Sequence, residues 1–316
     1  MAILGGVLGA VLNFATRDNV LGVLEEGLIY AIMALGVYIT YKILDFPDLS
    51  VDGTFPMGAA VTAAMIQGGT HPVLTLFVSF LVGVLAGILT GVIHVKLKVR
   101  DLLSGIIMMT ALYSVNLRIA GRANLPIFSK ETIFENEGLG RIVPVVADPY
   151  LVVLILLVIV VIVKILLDLF MATKAGYLLR AVGDNETLVT SLAKDKGTVK
   201  IIGLALANGL AALSGAVYCQ QKGFFDITIG TGTMVLGLAS VIIGTKLFKR
   251  IHWMKATSAV VAGSIIYKAC VSLAIYFSNE FDIGVTTSDL KLITAGLFLV
   301  ILVISRGRGR KVKEHA

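Results

Sequence analysis

The chain has 316 residues, 57% of them hydrophobic and only 15% charged, and its mean hydropathy is +0.93. Soluble domains carry roughly 25% charged residues, so these proportions exclude a fold that covers its whole surface with polar groups. The formal net charge of +7 has to be read by its place along the chain, because in a membrane protein excess Lys and Arg report sidedness rather than affinity for nucleic acid.

Inside lipid every backbone amide needs an internal partner, which leaves helices or a closed barrel. Runs such as residues 151–163 and 297–304 are continuously apolar, unlike the short alternating strands of a barrel. The predicted fold class is an all-α polytopic membrane protein.

Residues 2–15 are apolar but short, and segment 1–19 is expected to lie at the interface, with an additional span as the alternative. They have no positive leading region, so no cleavable signal peptide is expected. A crossing helix needs about 20 residues. On that length the spans are predicted at 20–41, 53–67, 72–95, 102–120, 149–171, 199–219, 230–247, 256–277 and 289–305. That makes nine, or ten with the first segment, in one membrane domain from 20 to 305 followed by a basic tail, 306–316. The second span is short and begins in sequence rich in Pro, Gly and Asp, which predicts a broken helix. Gly83, Gly87 and Gly91 repeat at four-residue spacing, a pattern that permits close helix packing within a bundle or at a dimer face.

The first span carries Glu25 and Glu26 near one end, read as interfacial groups or as part of a pathway. Asn116 and Asn208 sit in apolar spans, where such groups bond neighbouring helices or line a path. Cys219 and Cys270 lack metal or redox spacing and are predicted to be buried packing residues. His94 and His252 border basic loops. The loops at 96–100 and 246–255 and the tail at 306–316 are basic, whereas 278–287 has acidic residues and no Lys or Arg. The basic side is therefore cytoplasmic.

On that side lies the polar segment 172–198, with apolar residues at 178, 179, 182, 188, 189 and 192. This spacing predicts short amphipathic helices flanking the turn Gly183-Asp184-Asn185, a compact knob on the membrane surface, or else a solvated connector.

Two segments share a pattern. Phe46-Pro47-Asp48-Leu49-Ser50-Val51-Asp52-Gly53-Thr54 and Phe224-Phe225-Asp226-Ile227-Thr228-Ile229-Gly230 both run aromatic, Asp, then alternating apolar and hydroxyl residues ahead of a Gly-rich span. The predicted topology puts the first inside and the second outside, as in an inverted-repeat transporter. Asp48, Asp52 and Asp226 then cap helices or touch solute. With Ser50, Asn116, Asn208 and Thr228 they are the candidate translocation-path residues. No phosphate-binding loop, zinc-protease motif or nucleophile elbow occurs. The chain is therefore expected to transport rather than catalyse, using an ion gradient or a borrowed motor.

The stretch Gly27-Leu-Ile-Tyr-Ala-Ile-Met-Ala-Leu-Gly36, with Leu44-Asp-Phe-Pro-Asp-Leu-Ser-Val-Asp-Gly-Thr-Phe55 and Met57-Gly-Ala-Ala60, resembles the permease subunits of bacterial ABC importers of the branched-chain amino acid and ribose type. Within that group it is most similar to permeases of tryptophan/tyrosine-type uptake systems. Gly176-x-x-x-Arg180-Ala-x-Gly183-Asp184-Asn185 is similar to the family's cytoplasmic coupling helix, and the resemblance runs from about residue 20 to 305. In place of the extended glycine-rich loop of sugar permeases, Ile243-Gly244 is followed by Thr245-Lys-Leu-Phe-Lys249-Arg250, which favours the amino-acid branch.

The resemblance implies a type II-like permease in the bacterial inner membrane. Two identical permease chains would join two cytoplasmic ATP-binding subunits, which hold ATP-Mg, and an extracytoplasmic substrate-binding protein. It implies no cofactor or metal on this chain. Gly176, Arg180, Gly183, Asp184, Asn185 and Glu186 become the candidate coupling residues, with Arg180, Asp184 and Glu186 as polar contacts to the motor. An ion-gradient-driven secondary transporter remains the alternative.

Overall fold

The computed structural model describes residues 17–135, 149–184, 195–249, 251, 253–280 and 290–310. Segment 2–15, Asn185, Glu186, His252 and the tail beyond Arg310 lie outside the described residues.

Helix α1 (Arg17–Val37) passes into a π-helical turn, Tyr38–Ile43. After a non-helical stretch come α2 (Val51–Gln67), α3 (Pro72–Val95) and α4 (Asp101–Ala120). A strand β1 (Asn124–Pro126) follows, then α5 (Pro149–Met171) and α6 (Lys174–Asp184). Next come α7 (Lys196–Lys222), strand β2 (Phe224–Asp226), a 3₁₀ turn Ile227–Gly230, and α8 (Thr233–Leu247). The chain ends in α9 (Ala256–Glu280) and α10 (Leu290–Arg310).

Local chemistry sets several of these limits. Pro72 opens α3 at a position whose N–H would be unpaired anyway. Asp195 caps α7 by accepting from Gly197 N at 2.9 Å and Thr198 N at 3.3 Å. Those donors, with the Thr198 hydroxyl, hold its carboxyl below the usual range. Gly121 and Gly223 end α4 and α7 in the left-handed region, with φ of +72° and +78°.

Every expected span contains a helix, but they differ in reach. Among the described residues seven helices are long and apolar enough to cross a membrane. The other two are α2, with 17 residues, and α10, in which the described residues give an apolar stretch at Thr294–Val303. α2 is short because the chain has already re-entered the bundle when it begins. Arg306, Arg308 and Arg310, expected in a separate tail, continue the backbone of α10.

The core runs along α1 and α7. Residues 28–35 of α1 and most of the inner face of α7 are buried. α3 packs on α7 through Gly83, Gly87 and Gly91: a Cβ at Gly83 would come within 2.5 Å of Asn208 O, one at Gly87 would meet the Leu204 carbonyl, and one at Gly91 would come within 2.9 Å of Ile201. The four-residue glycine ladder therefore serves packing inside one bundle. α1 packs on α9, where Ser264 Oγ donates to Gly27 O at 2.8 Å. By contrast, Phe77, Leu81, Leu85 and Leu89 of α3 and Leu154, Val158, Ile162 and Leu169 of α5 are exposed, as lipid-facing stripes should be. Cys219 is buried as expected, but Cys270 is exposed on α9 and is not a core residue.

One element has no counterpart in the sequence reading. β1 and β2 pair antiparallel, Asn124 opposite Asp226 and Pro126 opposite Phe224, and this ribbon lies at the end of the bundle opposite the basic loops. Gln67 Nε2 donates to Pro126 O there at 2.6 Å.

Candidate functional site

Asn208 is twelve residues into α7, about 18 Å from its cytoplasmic end at 1.5 Å per residue, near the middle of the bundle. The segment after the π-helical turn reaches in to meet it. Asp48 accepts from Asn208 Nδ2 at 2.8 Å and from Ser50 N at 2.9 Å. Ser50 Oγ donates to Asn208 Oδ1 at 3.0 Å, and Thr54 Oγ1 lies 2.6 Å from the same oxygen. All four side chains are fully buried. A dry site strengthens each of these bonds and makes any unpaired group costly.

The second break meets the first one turn further along α2. Asp52 accepts from Gly232 N at 3.0 Å, Thr233 Oγ1 at 2.9 Å and Met234 N at 2.7 Å. It thus caps the N-terminus of α8 rather than that of its own helix, placing negative charge where the helix dipole favours it. Pro56 has no N–H to offer the Asp52 carbonyl four residues back. Gly230 packs against that carbonyl and the Pro56 ring, where any Cβ would collide.

Asp226 stands apart. It sits on the ribbon, accepting from Thr228 N at 2.8 Å, Thr228 Oγ1 at 2.6 Å and Asn124 Nδ2 at 3.3 Å. Burial pulls its carboxyl upward, but these three donors together hold it below the usual range. Asp48 and Asp226 still share a local geometry: each accepts from the amide two residues on and takes an Asn side-chain donor on its other oxygen.

Asn116 Nδ2 donates to Gly53 O at 3.0 Å, while its Oδ1 is buried without a partner. Asn116 lines a cavity of about 350 Å³ with Asp52, Met109, Tyr113, Thr228 and Thr231. Both asparagines thus bond across helices. Of the candidate path residues, Asp48, Ser50 and Asn208 form the buried junction, Asp52, Asn116 and Thr228 border the cavity, and Asp226 belongs to neither.

Glu25 and Glu26 are more than interfacial groups. Glu26 pairs with Lys222 of α7 at 2.9 Å and Lys268 of α9 at 3.0 Å, and Lys268 Nζ lies 4.2 Å from the centre of the Tyr30 ring. Glu25 accepts from Gln221 Nε2 at 2.8 Å.

At the cytoplasmic end α6 exposes Arg180, Asp184 and Tyr177, and the Arg180 guanidinium sits 5.9 Å from the Tyr177 ring centre. Gly176 and Gly183 face inward: a Cβ on Gly176 would come within 2.5 Å of Met171 Cα, and one on Gly183 would collide with the Ile43 carbonyl. These two glycines let α6 lie close on the bundle, Gly176 buried and Gly183 half-buried. Among the described residues no group of three or more His, Cys, Asp and Glu side chains could hold a metal ion.

A profile described as branched-chain amino acid transport system / permease component matches residues 19–304. The chain belongs to that family. It is 46% identical to the tyrosine transport system permease protein of Clostridioides difficile (strain R20291) over 90% of each chain. It is 34% identical to an uncharacterised protein of Rickettsia prowazekii (strain Madrid E), over 89% of this chain and 95% of that one. The ribose import permease protein of Haemophilus influenzae (strain ATCC 51907 / DSM 11121 / KW20 / Rd) is 26% identical over 73% of this chain and 70% of its own length. No solved structure matches.

The protein is a multi-pass membrane permease of a bacterial ABC importer; it is not itself catalytic, and ATP is used by a partner ATPase. Family membership sets aside the ion-gradient alternative. Sequence reasoning about this permease missed Thr54, Asn124 and the Glu26–Lys222–Lys268 cluster. The last left a readable signal, since a lysine inside the apolar span 256–277 needs an anionic partner. Asn124 left none, because its role depends on a ribbon formed by strands of three residues each.

Proposed function

We propose that this permease works as a homodimer of type II-like, inverted-repeat architecture. Two cytoplasmic ATP-binding subunits dock on its two α6 helices. An extracytoplasmic binding protein delivers an amino acid, of the aromatic class that the Clostridioides difficile relative's name specifies. The path runs between the two copies along α4, and the observation that carries this reading is the change of character on α4's outward face. Its cytoplasmic half exposes only Leu102, Leu103, Ile106 and Ile107, whereas its outer half exposes Thr110, Tyr113, Ser114 and Arg118 beside Ala111 and Val115. Hydroxyl and guanidinium groups are poorly matched to lipid tails, and Thr110 and Tyr113 line the 350 Å³ cavity with its spare Asn116 acceptor. The shared local geometry of Asp48 and Asp226 supports the inverted repeat.

The test is reconstitution of the permease with its ATP-binding subunits in liposomes. Addition of ATP and the loaded binding protein should drive uptake of labelled tyrosine. Thr110→Leu and Tyr113→Leu should each slow uptake while leaving assembly intact. Uptake unaffected by both substitutions refutes the α4 path, and uptake by the permease alone refutes the ABC assembly.

A further inference from the structure

The docking surface and the central junction are joined by one short run of chain. The inward face of α6 includes Leu179, Val182 and Gly183, with Leu179 and Val182 at 0% and 1% exposure. Gly183 lies directly against the carbonyl of Ile43, the last residue of the π-helical turn. Leu179 shares its site with Leu44: a Cβ added at Gly203 of α7 would lie 2.6 Å from Leu44 Cδ1 and 2.9 Å from Leu179 Cδ2. No slack therefore exists between α6 and residues 43–44.

From there the junction is five residues away, Ile43 to Asp48. The intervening backbone is held by Leu44 N donating to Ile39 O at 3.0 Å and Phe46 N donating to Thr40 O at 2.8 Å. Asp45 stands in the left-handed region at φ +52°, uncommon for a residue with a side chain although Asp enters it more readily than most. A π-helical turn holds one more residue than an α-turn needs and recurs at functional sites. Moving one residue out of it restores α-geometry and shifts the following chain by about 1.5 Å, the rise per residue. A packed contact on one side and a two-state backbone on the other are what transmission between distant sites requires.

We propose that Gly183 and the π-helical turn Tyr38–Ile43 form the contact through which α6 moves the break at Asp48 against Asn208. The proposal rests on the reading of α6 as the docking surface. Gly183 is a positioning residue: it permits α6 to press on the Ile43 carbonyl, and its lack of a side chain sets the depth of that contact.

The experiment uses the assembled transporter with its ATP-binding subunits and binding protein. Gly183→Val should lower solute moved per ATP hydrolysed by about tenfold or more. Gly183→Ala should fall between. If transport and hydrolysis drop in proportion, or neither changes, the proposal is overturned. A second measurement does not depend on those variants folding. Lys42 is exposed at the turn. An environment-sensitive dye on Lys42→Cys, in a Cys270→Ser background, should change signal when ATP-Mg binds. A silent dye in a transporter whose ATPase associates and hydrolyses normally overturns the proposal alone. If instead Arg180→Glu with Asp184→Lys leaves ATPase association unchanged, the docking reading fails, and this inference with it.

Discussion

Asp52 offers a quantitative test of how the two halves of the permease are joined. Its carboxylate takes three donors, at 3.0, 2.9 and 2.7 Å, and two of them are backbone amides at the start of α8. Asp52→Ala leaves those two N–H groups without partners in a half-buried setting, at about 1–3 kcal/mol each. The lost charge–dipole attraction adds about 0.3–1 kcal/mol. The sum, about 2–7 kcal/mol, corresponds to a drop in melting temperature of about 4 °C or more at roughly 2 °C per kcal/mol for a chain of this size. Asp52→Asn keeps one acceptor but turns an NH₂ toward a donor, and should fall between. Thermal unfolding of the detergent-solubilised permease, followed by tryptophan fluorescence or by dye binding to newly exposed thiols, measures the shift. A melting temperature for Asp52→Ala within about 1 °C of the unaltered chain would show that the cap carries little energy, and the picture of α2 anchoring α8 would fail.

Three further outcomes follow from the same structure. Glu26→Gln strands Lys222 and Lys268, and because Lys268 is only 13% exposed the loss should approach the roughly 3–5 kcal/mol of breaking a buried pair. Adding Lys268→Met should recover part of it in the same melting assay. Gly87→Leu forces a side chain onto the Leu204 carbonyl and should abolish folded yield on size-exclusion chromatography, whereas Leu85→Ala on the exposed face of α3 should not. The lowered carboxyl of Asp226 makes its contribution to the outer ribbon full above the ordinary carboxylate range and lost as pH falls through its folded-state value. Asp226→Asn should therefore lower stability at neutral pH, where that contribution is full, and flatten the acid limb of a stability–pH curve.

The spans were legible because the signal is composition over about 20 residues, which neighbours cannot override. α5 appears at Pro149–Met171, as the apolar run from 149 to 171 predicts. The break at Asp48 was legible from Pro47, Asp48 and Gly53, which disfavour a continuous helix. What the break contacts was not: Asp48 meets a residue 160 positions away and Asp52 one 182 away, and no local pattern encodes such pairings. The repeat motif shows the same limit. Its Asp residues at 48 and 226 do take up equivalent local geometry, yet one is buried in the centre and the other sits on the ribbon. Asp52, which follows the shared core of the pattern and has glycine as its counterpart, makes the link between halves. Sequence similarity gave the turn, and tertiary position gave each turn its partner.

The polar contacts of the permease differ in strength with their burial. At the centre Asp48, Ser50, Thr54 and Asn208 are all fully buried, so their bonds act at low dielectric and breaking one strands its partner. At the outer end Glu26 is 36% exposed and Lys222 29%. At the cytoplasmic end Asp168 of α5 accepts from Thr257 Oγ1 of α9 at 2.7 Å and pairs with Lys255 at 3.2 Å, and Lys255 is 68% exposed. Ion pairs wetted to that degree are worth about 0–1 kcal/mol. Opening the end at Lys255 therefore exchanges a weak ion pair for water, whereas parting the outer cluster, where Lys268 is only 13% exposed, or the dry centre would strand charged or polar groups. The contact that yields most readily is then the one between Asp168 and Lys255, at the end where α5 leads directly into α6.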